Sequence, residues 1–221
     1  DGMYGVVTFD EVIDLARSQS RTVGVYPETK HPTFHAGLGL PLEERLLEVL
    51  ARAGWTGKSS PVIIQSFETG NLKAMRTKTD VRLMQLIDGS DVDAAGEVVL
   101  TAPSGKPYDW AVSGRDGDNR SQLTAEGLKA IAAYADIVAP WKRWLMAPVG
   151  GVVVKRPQIV ADAHAAGLQV HTWTMRDDRL DAVYGGDAVK EYFDLFDMGV
   201  DGLFSDFPDT AAKARDQWMK G

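Results

Sequence analysis

None of the 221 residues is cysteine. Disulfides, zinc–thiolate sites and cysteine nucleophiles are thereby excluded, while cytosol and periplasm stay equally open. No apolar run approaches the ~18 residues that a membrane-spanning helix needs. A basic excess is also missing. Lys and Arg number 24 against 31 Asp and Glu, a formal charge of −7 that argues against a general nucleic-acid binder. No Gly-x-Gly-x-x-Gly follows any candidate strand, which weakens a dinucleotide-binding sheet. What is present is globular in character: 44% hydrophobic and 25% charged residues. A chain of this length buries roughly 70% of its unfolded surface, enough for a full core. It opens on Asp1-Gly2-Met3 with no leader pattern, close to a helix signal at Thr8. The expectation is that an N-terminal part of the natural protein precedes it.

Short β-branched runs alternate with longer amphipathic stretches. Thr8 and Glu11 form a capping-box pattern, followed by an apolar stripe at Val12, Ile13, Leu15 and Ala16. Val23–Tyr26 reads as a strand, and Leu42, Leu46, Leu47 and Leu50 as a helix face after Pro41. The pattern then predicts strands over Val62–Gln65, Val81–Ile87, Asp136–Ala139, Leu168–Thr174 and Gly202–Ser205. Helices are predicted over Glu68–Lys78, Thr124–Tyr134, Pro157–Ala166, Val189–Met198 and Thr210–Met219. Between the third strand and the next helix lies Asp88–Gln122, rich in Gly, Asp, Ser and Pro. Loops of that length are usually lids or binding loops.

Six strand–helix units in a row demand a parallel sheet, either an open doubly wound one or a barrel. Polar residues recur at the strand ends: Glu28 and Lys30, Gln65 and Ser66, Gln85, Trp173 and Arg176, Asp206. Chemistry at the C-terminal ends of strands is the habit of the (β/α)8 barrel, so the barrel is preferred. Six strands do not close the usual eight.

Several blocks resemble the glycerophosphodiester phosphodiesterase family, in family order and over nearly the whole chain. Tyr26-Pro27-Glu28-Thr29-Lys30 is similar to its Y-P-E-x-K block, and Ile64-Gln65-Ser66-Phe67 to its I-Q-S-F strand end. Val81–Ile87 and Ala135–Pro140 match two further strands. Ala163–Leu168 with Val170–Arg176, and Gly199–Asp209, resemble A-H-x-A-G-L…V-H-x-x-T-x-R and G-V-D-G-L-F-T-D-F-P-D. The pattern is nearest the periplasmic or secreted bacterial type, with a cytoplasmic location also open. The resemblance implies a TIM (β/α)8 barrel of which this chain supplies about six βα units, strands three to eight. Residues 1–221 then form one incomplete barrel domain, with 88–122 as an insertion.

The family reaction splits a glycerophosphodiester into sn-glycerol 3-phosphate and an alcohol, with a divalent cation, Ca²⁺ or Mg²⁺. The resemblance implies Glu28 as a metal ligand, Lys30 as a catalytic residue on phosphate, and Gln65 and Trp173 as substrate-binding residues. The bland readings are a surface glutamate, a Glu28–Lys30 salt bridge, a structural amide and core filler. The family's H-R-G, E-x-D and H-D motifs do not occur in these 221 residues. Two catalytic histidines and two metal carboxylates of the pattern are therefore absent. His31, His35, His164 and His171 do not match those positions. His31 and His35 border Glu28, while His164 and His171 are read as structural. Arg176 is assigned to a loop salt bridge, Asp201 and Asp206 to turns and caps, and Tyr108, Trp110, Trp141 and Trp144 to packing of the long loop. Three readings follow: a small-molecule diesterase inactive as this chain alone, a non-catalytic barrel with a binding or assembly role, and a related lyase. An open six-stranded arc would also leave unpaired edges, so self-association is expected.

Overall fold

A computed structural model describes residues 2, 3 and 5–221. The Thr8 signal forms as read. Thr8 Oγ1 accepts from the Glu11 amide at 3.3 Å, Glu11 Oε2 accepts from the Thr8 amide at 2.6 Å, and α1 (Phe9–Arg17) begins there. After α2 (Pro32–Gly37) and α3 (Glu43–Arg52) comes β1 (Ile63–Ser66), then α4 (Thr69–Arg76) and β2 (Arg82–Ile87).

The long segment is not structureless. It carries a small antiparallel hairpin, β3 (Asp91–Val92) with β4 (Val98–Val99), and two short helices, α5 (Tyr108–Ser113) and α6 (Asn119–Gln122). Next come α7 (Ala125–Ala132), β5 (Ile137–Pro140), α8 (Lys142–Leu145) and a second hairpin, β6 (Met146–Val149) with β7 (Val152–Lys155). The chain ends with α9 (Pro157–Ala165), β8 (Gln169–Met175), α10 (Ala188–Asp197), β9 (Gly202–Ser205) and α11 (Pro208–Trp218).

The main sheet is parallel, in the order β1-β2-β5-β8-β9. Residues 25–28 add a sixth, irregular member, with parallel bridges Val25–Val62 and Glu28–Gln65 along the free side of β1. The expected strand at Val23–Tyr26 is thus paired on one side only, and its pairing runs past Pro27 to the Thr29 amide, which donates to Gln65 O at 3.0 Å.

One contact decides between open sheet and barrel. Tyr26 and Phe204 stand five strand steps apart, which a flat sheet would stretch to about 24 Å. Their ring centroids are 5.2 Å apart, edge to face. The sheet is therefore curled into an arc of a TIM-type barrel, with side chains of its first and last members meeting inside.

Alternation along the strands sorts the two faces. Ile63, Met84, Leu86, Ile137 and Ala139 face inward and pack with Phe67, Trp173 and Phe204. Ile64, Leu83, Ile87, Val138 and Val170 face outward into the larger core under the helices. His171 also points inward. Its Nδ1 lies 3.4 Å from Tyr26 Oη, and burial, reinforced by Arg82 and opposed by Asp201, lowers its pKa to about 4. A neutral interior histidine results, in keeping with its structural reading.

Candidate active site

The rim segment Tyr26–Lys30 is held by side chains of β1 and α4. Gln65 Nε2 donates to Tyr26 O at 3.1 Å and Ser66 Oγ to Thr29 O at 3.2 Å. Thr29 turns toward α4, where Asn71 Nδ2 donates to its Oγ1 at 2.6 Å, and both residues are buried. Side chains alternate, so Glu28 and Lys30 share the other side, Nζ to Oε2 being 3.7 Å. Thr29 and Asn71 thereby fix the orientation of Glu28.

Glu28, Lys30, Gln65 and Trp173 line a single cavity of 250 Å³ at the barrel mouth, with Phe67 and Phe204 as apolar wall. All four predicted site residues are brought together. Glu28 is half-buried, and its Oε1 has no hydrogen-bond partner. Burial pushes its carboxyl above the usual range, against the opposing pull of Lys30 and His31. The Lys30 side chain is 73% exposed. Trp173 is anchored by Nε1 donation to Ala139 O at 2.8 Å and meets Phe67 edge-on at 5.7 Å. The Lys30 ammonium and the anchored indole can hold a small polar anion against one carbon face, while Glu28 repels it until its own charge is neutralised.

Other strand-end residues do not reach the mouth. Gln85 lies on the outer face, donating to Phe67 O at 3.0 Å and accepting from Tyr134 Oη at 2.9 Å. Ser66 is likewise turned outward. Arg176 is spent on Asp178 (2.7 Å) and Asp206 (3.2 Å). His164 pairs with Asp201 at 2.8 Å, and Asp201 also accepts from the Val170 amide at 2.7 Å. Trp110 and Trp144 pack the long segment, with Nε1 donations to Thr69 Oγ1 and Asp88 O. Tyr108 departs from that reading. It lines a second cavity of 290 Å³, together with Glu28, His31, Glu68 and Asp88.

Glu68 and Asp88 were not singled out by sequence. Glu68 stands two residues beyond β1 and Asp88 directly after β2, both at the strand end where Glu28 lies. Burial pushes both carboxyls up. A larger cleft, about 750 Å³, lies elsewhere, between α3 and the turn before β2. That is the N-terminal end of the strands, where a barrel does not place its chemistry.

The model of the glycerophosphoryl diester phosphodiesterase family matches residues 2–210. The chain belongs to that family. It is 31% identical to a glycerophosphodiester phosphodiesterase of Arabidopsis thaliana, over 94% of this chain and 55% of the relative. It is 28% identical to one of Haemophilus influenzae, over 99% of this chain and 59% of the relative. The chain thus spans little more than half the length of these curated relatives. Among solved structures, a glycerophosphodiester phosphodiesterase from Parabacteroides distasonis superposes with a TM-score of 0.54 at 13% identity, over 94% of this chain and 63% of that one. A Silicibacter pomeroyi protein bearing the family's name reaches 0.60 at 20%, over 93% and 55%. These likenesses establish the family fold. Among the described residues no helix is long and apolar enough to cross a membrane, and no three His, Asp or Glu side chains gather as metal ligands.

Proposed function

We propose that the protein hydrolyses glycerophosphodiesters to sn-glycerol 3-phosphate and an alcohol with the help of a divalent cation, Ca²⁺ or Mg²⁺. The observation that carries this is the convergence of Glu28, Lys30, Gln65 and Trp173 on one mouth cavity. The relatives named for this activity support it, and the resemblance to the periplasmic type suggests action outside the cytoplasm.

The donor set partly fits a hard cation. Glu28 offers an unpaired carboxylate oxygen that a cation would satisfy. Glu28 would be one ligand, and the described residues supply no cage of three. When bound, the ion would neutralise the diester's negative charge.

The remaining work falls to the chain's own side chains. Lys30 reaches a non-bridging phosphate oxygen as a mobile positive charge. Trp173 gives the glycerol carbons a flat wall, and Gln65 fixes the rim that carries Glu28. In the net reaction a water oxygen forms a bond to phosphorus and the phosphorus–alcohol oxygen bond breaks. One water proton goes to the departing alcohol. By the resemblance, the acid and base for these transfers are the H-R-G and H-D histidines, absent from these 221 residues. Turnover is therefore expected of the full-length protein.

The test is incubation of glycerophosphocholine with the full-length protein. With Ca²⁺ or Mg²⁺, sn-glycerol 3-phosphate and choline accumulate, and chelation stops the reaction. The 221-residue chain alone runs at least ~100-fold slower, because general acid–base catalysis contributes that much. A full-length protein that leaves the diester intact under both metals contradicts the reading. The missing motifs favour a second reading, a non-catalytic barrel, which that result would leave standing. A cyclic phosphate that persists would instead identify a lyase.

A further inference from the structure

Two cavities meet at the rim. Glu28, Lys30 and Phe67 line both the mouth cavity and the one beneath the long segment. We propose that the second cavity receives the alcohol arm of the diester and selects an ammonium headgroup, through Glu68, Asp88 and the ring of Tyr108. The inference rests on the diester reading of Glu28 and Lys30.

A diester carries two arms on one phosphorus. With phosphate at the shared wall, one arm enters each cavity. The mouth cavity, with Gln65 and the Trp173 indole, suits the glycerol arm. The other cavity is acidic. Glu68 is only 2% exposed. Its Oε2 accepts from the Thr33 amide at 3.1 Å, while Oε1 is buried with no partner at all. A carboxylate oxygen left that way costs stability, and an incoming cation relieves the cost. Asp88 stands at the next strand end, and its Oδ1 accepts from the Gly89 amide at 2.8 Å.

The nearby positive groups are otherwise engaged or weak competitors. Lys30 leans on Glu28, and Lys106 Nζ donates to Arg115 O at 3.2 Å. His31 also lines the cavity and meets the Tyr108 ring edge-on at 5.7 Å. The remaining wall is carbon-rich, from Phe67, Pro103 and Pro107. An alkylated ammonium needs such a mixture of negative charge, aromatic face and carbon surface.

The wall is also held in place. Asp109 Oδ2, next to Tyr108, accepts from Thr69 Oγ1 at 3.0 Å and from the Gly70 amide at 2.8 Å. Asn119 Nδ2 ties Ser104 O and Asp88 O at 2.8 and 3.1 Å. The neighbour of Tyr108 is thus tied to the first turn of α4, which places the Tyr108 ring in the wall of the cavity that Glu68 also lines.

The experiment is calorimetric titration of the full-length protein with choline chloride and, separately, with sn-glycerol 3-phosphate. Both are expected to bind. Glu68→Gln weakens choline by at least about tenfold and leaves glycerol 3-phosphate within about twofold, as separate subsites should. Tyr108→Leu, at an exposed position, repeats the effect if the Glu68 variant does not fold. Choline bound equally by the variants and the unaltered protein, or not bound at all, overturns the proposal. A Glu68-dependent choline site in a protein that hydrolyses no diester would sink the catalytic reading and keep this one.

Discussion

Exchanging Glu28 for glutamine lowers glycerophosphodiester turnover by at least ~100-fold, on the order expected when a charge-stabilising group is lost, yet leaves the protein at least as stable. The two effects share one cause. Glu28 Oε1 is buried without a partner, and burial already works against its charge. Glutamine keeps the shape and removes the desolvated charge, so a melting temperature equal to or a few degrees above the parent's is expected, at about 2–4 °C per kcal/mol for this size. The cost that Glu28 imposes on folding is the sign of a group kept for function. Parallel assays of turnover and thermal melting check this. A variant that melts lower and still turns over would make Glu28 a structural residue.

Lys142→Met destabilises the fold by about 3–5 kcal/mol, because it strands a buried charge. Lys142 Nζ lies 2.6 Å from Glu191 Oε1, with side chains 6% and 1% exposed. The pair ties α8, at the end of β5, to α10. Burial pushes the Glu191 carboxyl up, and Lys142 opposes it. Without the lysine the desolvated carboxylate must take up a proton or pull α10 toward water. A melting temperature lower by about 6–20 °C follows. Lys142→Met with Glu191→Leu recovers most of the loss, since the cost lies in the unpaired charge and not in the missing attraction. Thermal melts of the single and double variants check this. Equal losses in both would contradict it.

The sequence revealed the fold at the level of its repeating unit. Apolar runs such as Val81–Ile87, bounded by turn residues, became strands because a parallel sheet buries both faces. Double burial also explains what was hidden. Gln65 and Gln85 look alike in sequence, each an amide within an apolar run. Their places in the alternation differ by one step, so Gln65 borders the mouth while Gln85 anchors Tyr134 outside. The β6–β7 hairpin was also missed, although Gly150 and Gly151, at φ 57° and 83°, are the glycine pair that such tight turns favour.

At the site, Glu28, Lys30, Gln65 and Trp173 were legible through the family blocks around them. Glu68 and Asp88 were not, since a lone acid after a strand reads equally as a turn or cap. Their significance appears only when the long segment folds back and places Tyr108 opposite them.

On the proposed function, one mouth, lined by Glu28, Lys30 and Trp173, holds the phosphorus end of the substrate. A crystal structure with sn-glycerol 3-phosphate bound tests it most directly. The account predicts phosphate oxygens within hydrogen-bonding distance of Lys30 Nζ and glycerol carbons against the Trp173 ring. Density for the ligand only in the cleft between Trp55 and Arg76, at the far end of the strands, would contradict it.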